Sequence, residues 1–176
     1  MTPERTRVPK YITSDFFTGA YRMTGRMNVG AGGAIGILND NTRSGAACED
    51  VYISYVVTPA SIVAHYNNVR IAKNGLEALL LSRREDMGPA GVARAGYTKI
   101  MHYKVMITTE AFEVYGTVEM TGKYDPDTLL FEGAARFFPV YDVTISACVK
   151  PDAKYSGEAL LINRSKVGAI CGGENG

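Results

Sequence analysis

Apolar and polar residues alternate in short runs along most of the chain, a period of two that belongs to half-buried strands. Lys99–Thr109 and Phe112–Met120 are two such runs, rich in Val, Ile, Tyr and Thr, and their junction at Thr109-Glu110-Ala111 predicts a hairpin. Asp125-Pro126-Asp127 then suits a capped helical turn at Thr128–Phe131, with proline near its start. Arg136–Val149 reads as a long strand, with Pro139 at its edge or start. Ala159–Ile162 and Val167–Cys171 read as short strands around the polar turn Asn163-Arg164-Ser165-Lys166. The first half carries the same order: Val8–Thr13, Tyr21–Val29, a helical turn near Ala34–Asn39, Cys48–Val57, Val69–Ala72, the Lys73-Asn74-Gly75 turn and Leu76–Leu81. Asn-Gly between apolar runs is a strong hairpin signal. Arg83–Gly96, polar and carrying Gly88-Pro89 and Gly91, reads as a linker.

This parallel order has a sequence counterpart. Glu49–Pro59 laid over Tyr141–Pro151 matches Asp, Val, Ile, Ser, Val and Pro, 6 of 11 positions. Nearly the same offset relates Asp50 to Asp142, Leu38 to Leu130 and Gly25 to Gly116. The expectation is a mainly β protein built by tandem duplication of a five-stranded small barrel or roll, each copy with one short helical turn. Its parts are a first module at 1–82, a linker at 83–96 and a second module at 97–176. One larger β-barrel, open or closed and shared by both halves, is the alternative architecture. Gly25, Gly116, Asp50, Asp142, Pro59 and Pro151 recur between the copies and are read as fold determinants, each aspartate accepting backbone N–H groups at a strand entry.

The closing segment Leu160-Leu-Ile-Asn-Arg-Ser-Lys-Val-Gly-Ala-Ile170 resembles the last strand–turn–strand of Sm-like barrels, and Val140–Ser146 is similar to their central bent strand. The resemblance implies a small SH3-like barrel. In that family an Arg-Gly pair in the last turn helps to bind RNA; Asn163-Arg164 stands in its place here, and Lys73-Asn74 in the first copy. The family's second RNA-binding signature, an Asp and an Asn around an apolar residue in an earlier loop, has no clear counterpart.

Composition narrows the function classes. A hydrophobic fraction of 46% supports a core and excludes disorder, and 19 basic against 18 acidic residues leave a net charge of +1, with no global field for nucleic acid. Cys48, Cys148 and Cys171 are odd in number and match no metal spacing, which predicts free thiols in a reducing compartment. Met1–Lys10 is polar and proline-bearing, unlike a secretory leader, and Val51–Ala64 is too short and too interrupted to span a bilayer. The glycines of Val29–Gly36 lack the Gly-x-Gly-x-x-Gly spacing, the long helix and the Walker lysine of nucleotide sites, so they read as a turn or a close backbone approach. His65 and His102 have no His or Cys at ligand spacing, and no Gly-x-Ser-x-Gly elbow is present. Arg83-Arg84 beside Glu85-Asp86 is locally neutral and reads as a solvated linker.

These observations predict a non-catalytic structural or accessory subunit, without cofactor or metal, that docks on a larger protein assembly and stabilises it. Its partners would be other protein subunits or copies of itself, met through outward-facing tyrosines and extended arms. The expected location is cytoplasmic, and a peripheral seat on a membrane complex is compatible with it. Two other classes are carried: an Sm-like RNA-binding module acting through Asn163, Arg164, Lys73 and Asn74, and a small enzyme with its site in the groove between modules.

Overall fold

The alternating runs fold as strands, and all of them join one sheet. The computed structural model describes residues 10–89 and 99–175. The first half holds β1 (Tyr11–Phe17), β2 (Tyr21–Asn28), the short helix α1 (Gly33–Leu38), β3 (Gly45–Tyr55), β4 (Ile62–Ala72) and β5 (Ala78–Leu81). The second half holds β6 (Ile100–Thr109), β7 (Phe112–Thr121), a helical turn at Thr128–Glu132, β8 (Phe137–Ala147), β9 (Lys150–Asn163) and β10 (Val167–Asn175). The protein is thus mainly β, a ten-stranded antiparallel sheet in the order β10-β6-β7-β8-β9-β5-β1-β2-β3-β4. Each half places its strands fifth, first, second, third, fourth, and the halves meet where β5 pairs with β9. Residues 1–9 and 90–98, which include most of the proposed N-terminal arm and part of the proposed linker, lie outside the described residues.

The ladders of the two halves share one register. Shifting β1 and β5 by 91 residues turns the pairs Phe17–Ala78, Phe16–Leu79, Asp15–Leu80 and Ser14–Leu81 into Thr108–Ala169, Ile107–Ile170, Met106–Cys171 and Val105–Gly172. Pairing between second and third strands likewise slips at matching places, between Thr24 and Arg26 in one half and Tyr115 and Thr117 in the other. At both slips the glycine faces a wall. A Cβ on Gly25 would lie 2.7 Å from Val51 Cγ2, and one on Gly116 would lie 2.7 Å from Val140 Cγ1 and 2.9 Å from the Tyr141 carbonyl. Asp50 and Asp142 take φ of +51° and +50° there, the left-handed region that short polar side chains tolerate best after glycine. The aspartates therefore sit within bulged strands, and not at strand entries as the sequence suggested. Pro59 lies in the β3–β4 turn and Pro151 near the start of β9.

Two strands are longer than their alternation indicated. β4 opens with Ile62–Asn68, which is exposed on both faces apart from half-buried Ala64, so no buried stripe marks it. β9 begins nine residues before its apolar run, with only Ala153 and Tyr155 turned inward from its polar start. Burial forms two cores, one centred on each half. β5 is a wall between them: Leu79 and Leu81 pack into the first core, Ala78 and Leu80 into the second. That two-sided burial is why this strand reads as continuous Ala-Leu-Leu-Leu, with no alternation. Among the described residues no helix is long and apolar enough to cross a membrane.

Candidate functional site

The residues singled out for RNA contact lie at the seam between the halves. Asn163 is fully buried; its amide donates to the carbonyls of Lys73 (3.2 Å) and Leu76 (2.8 Å), while its Oδ1 accepts from the Ser165 N–H and hydroxyl. Lys73 is buried as well, and its Nζ donates to the Asp40 carbonyl at 2.8 Å. Burial lowers the affinity of this amine for its proton, opposed by the nearby Asp40 carboxylate. Asp40 is in turn held below the usual carboxylate range, first by the Thr42 hydroxyl at 2.6 Å and then by the Thr42 N–H. Arg164 is the register counterpart of Lys73. Its Nη1 donates to the Gly133 carbonyl at 3.0 Å, and desolvation lowers its pKa too. Each of these cations is a strut from the last turn of its half to the loop between second and third strands. Asn74 is the exposed member of the four. Arg43, Lys73 and Arg136 line a cleft of about 220 Å³ together with Asp40.

A second polar cluster crosses the same seam. The segment Arg84–Met87 forms a single 3-10 turn in which Asp86 and Met87 are buried. Arg84 donates its backbone N–H to Glu158, pairs its guanidinium with Glu119 and lies 3.8 Å over the Tyr141 ring. Tyr141 is pushed above the ordinary phenol range by burial, reinforced by the Glu119 charge. Glu119 is therefore engaged by a guanidinium and Tyr141 holds its proton, so the pair offers neither a free base nor a phenolate. The Arg83–Asp86 cluster, expected in solvent, is in part a pin across the halves, carried by Arg84, while the buried Asp86 is held within the first half by Arg83 and by Lys10 Nζ at 3.5 Å. Elsewhere His65 Nε2 lies 2.7 Å from Asp50 Oδ1 and its ring stacks on Tyr52. The register counterpart of that pair is Asp142 with Ser156, where no imidazole stands. Among the described residues no group of three or more His, Cys, Asp and Glu is placed to hold a metal ion.

The sheet's two ends are different in kind. No described strand pairs with the outer side of β4 or of β10. Around β4, Tyr11, Tyr21, Tyr52, Tyr55 and Tyr66 are exposed, and Tyr21 stacks on Tyr55. By alternation the Tyr21–Tyr55 and Tyr52–His65 pairs lie on opposite faces, so this end of the sheet offers both faces to a partner. Tyr103 and Tyr141, by contrast, are buried. Ile62, Val63 and Tyr66 on β4 and Val149 beyond β8 are large apolar side chains left in water. The first part of β4 was hard to foresee, because its exposed apolar residues do not alternate.

The chain matches no protein-family model, no curated protein and no solved structure.

Proposed function

We propose that this protein is a non-catalytic structural subunit: a duplicated five-stranded module that docks on a larger protein assembly and stabilises it through the open ends of its sheet. The observation that carries the reading is the pair of edges, β4 and β10, with which no described strand pairs on the outer side, the first flanked by exposed Ile62, Val63 and Tyr66. Exposed edges of soluble proteins are ordinarily shielded by proline, lysine, bulges or a covering segment. β4 contains no proline and no lysine over eleven residues, and beyond its bulge at Val63 the stretch Ala64–Ala72 is regular, as suits a strand that is covered in use. The duplication is supported by the common register of the two halves and by the matching left-handed aspartates. A cytoplasmic setting, including the face of a membrane complex, belongs to the same reading.

The RNA-binding alternative has less behind it. Lys73, Asn163 and Arg164 hold the fold's own carbonyls, and nucleic acid would have to draw them away. Between the halves Glu119 is already paired with Arg84, so that carboxylate lends no support to the enzyme alternative. The test is to tag the chain, recover it from its native source at moderate salt with and without nuclease, and weigh what accompanies it. A set of proteins in fixed ratio, burying about 1,200–2,000 Å² per stable contact, supports the structural reading. RNA lost on nuclease treatment in place of proteins, or a bare monomer, overturns it.

A further inference from the structure

The internal seam prescribes how a second copy would be met, and this inference rests on the structural-subunit reading. At the seam β5 and β9 pair as Ala78–Ile162, Leu79–Leu161, Leu80–Leu160 and Leu81–Ala159. The fifth strand of one half thus meets the fourth strand of the other. The sheet ends in the complementary elements, the fourth strand of the first half (β4) and the fifth of the second (β10). Because the halves share their register, the 91-residue shift converts the seam into a second set of pairs: Ala169–Ile71, Ile170–Arg70, Cys171–Val69 and Gly172–Asn68. We infer that the partner at these edges is another copy of this chain, added head to tail with β10 antiparallel to β4 in that register.

Side chains at the two ends agree with this pairing. On β5, Ala78 and Leu80 pack on the core of the opposite half. Their counterparts on β10, Ala169 and Cys171, are exposed, whereas Ile170, the counterpart of Leu79, packs on its own core. At the seam Ala153 and Tyr155 of β9 are buried in the core that holds Phe17 and Val56, and the Tyr155 hydroxyl donates to the Val56 carbonyl at 2.6 Å. The start of β4 leaves Ile62 53% exposed. Val57, packed at the seam, has as its counterpart Val149, 83% exposed. Asn39 reaches across the seam to exchange two hydrogen bonds with the Phe137 backbone. Shifted by 92, that contact becomes Phe131 against Gly45: Phe131 is 76% exposed, and Gly45 lies in a cleft of about 820 Å³ bordered by Ile37 and Ala46. Under the same shift, exposed Phe131 of the second half is matched by the cleft at Gly45 of the first.

Such a contact joins unlike surfaces, so it closes into a ring or grows as a filament according to its rotation. The register makes it testable with one native thiol. Directly opposed residues in an antiparallel pair bring their Cα atoms to about 4.5–5.5 Å, within reach of a disulfide. Val69 also faces Cys48 within the chain, so the substitutions Cys48→Ala and Cys148→Ser are made first, leaving Cys171. Val69→Cys in that background, treated with diamide at about 100 µM chain, should give a ladder of covalent dimers and higher species, with the 69–171 bridge found by peptide mass. Arg70→Cys, one residue out of register on the opposite side of the strand, should cross-link at least tenfold more slowly. Phe131→Glu, at an exposed position, should lower the assembly mass in sedimentation velocity and leave the melting temperature unchanged.

Equal cross-linking by Val69→Cys and Arg70→Cys overturns the register, and a monomer bridged to itself means that the sheet closes within one chain. A protein that stays monomeric and does not cross-link overturns the inference outright. These results are independent of the recovery experiment. A chain that brings down a fixed set of other proteins yet never bridges to itself would sink self-pairing and leave the structural reading standing.

Discussion

Asn163 is the most connected polar side chain at the seam, and its geometry yields a sharp stability prediction. Its amide donates to two backbone carbonyls of the first half, and its backbone N–H to a third, that of Glu77 at 2.8 Å. Asn163→Ala removes both side-chain donors and leaves the Lys73 and Leu76 carbonyls in a buried place without them. A buried polar group left without its partner costs about 1–3 kcal/mol, so two carbonyls amount to roughly 2–6 kcal/mol. For a chain of this size each kcal/mol moves the midpoint by about 2–4 °C, giving an expected fall of roughly 4–24 °C.

Asn163→Asp tests the reasoning harder, because it keeps the shape and the acceptor for Ser165 but replaces the two-hydrogen donor by an oxygen. That oxygen would face two carbonyl oxygens at hydrogen-bond distance in a buried site, so the variant should be at least as unstable at pH 7 as Asn163→Ala. Protonation of the introduced carboxyl would restore one donor, so its folded-state pKa is raised above the unfolded value near 3.9. The native state then binds more protons than the unfolded state, and stability falls as pH rises through that window. The Asp variant should therefore recover part of its loss at pH 4 relative to pH 7, while the Ala variant should not. The assay is urea unfolding followed by far-UV circular dichroism and by tyrosine fluorescence, which the absence of tryptophan leaves unobscured. An Asp variant as stable as the parent at pH 7, or an Ala variant losing under about 1 kcal/mol, would refute the assignment of Asn163 as donor to the seam.

Other consequences are open to the same instruments. Asp142 holds φ of +50°, where glycine is free of strain and a β-branched residue is not. Asp142→Gly should match or exceed the parent by up to about 1 kcal/mol and Asp142→Val should lose about 1–3 kcal/mol; equal melting temperatures for the two would contradict the bulge. Cys48 is buried and its thiol is pushed up to about 12 by desolvation, whereas Cys148 and Cys171 are exposed. Two thiols should react with an aromatic disulfide reagent in the native protein, and the third only after unfolding. Since the folded Cys48 keeps its proton beyond the pH at which the unfolded thiol loses it, stability should fall with rising pH between 9.0 and about 12, by up to about 1.4 kcal/mol per unit. Cys48→Ala should flatten that slope relative to the parent, and identical slopes would rule the thiol out as its source.

What the sequence made legible follows from which interactions are local. Strands that alternate, such as β6 and β7, stand where the pattern put them, and the Thr128 turn and α1 lie within two residues of their predicted places. The matched Asp50 and Asp142 marked real backbone peculiarities, although the bulge itself, which needs a partner strand to exist, was not visible. The edges escaped for a related reason. β4 buries only Ile71, so half-buried periodicity had little to report; β9 is disguised at its start by Pro151, Asp152 and Lys154. The roles of Asn163, Lys73 and Arg164 were hidden because their partners lie about 30 to 90 residues away, on carbonyls that carry no sequence signature.

The seam and the edges also differ in a way that bears on how such an assembly would behave. The seam is made of large side chains, Leu79, Leu80 and Leu81 against Leu160 and Leu161, and is clamped by Asn163, by the Asn39–Phe137 exchange and by the Tyr155 hydroxyl. Covalent connection holds those strands at high effective concentration throughout. On the edges the same positions carry Ala169, Ile170, Cys171 and Gly172 against Asn68, Val69, Arg70 and Ile71, and the buried amide is replaced by Ala72. Less apolar area and fewer fixed donors make for a weaker pairing, one whose surfaces also remain soluble when apart. Contacts between copies should therefore dissociate on dilution well before any chain unfolds, with the β5–β9 seam intact in the released monomer. The two transitions separate cleanly if concentration moves the first and urea the second.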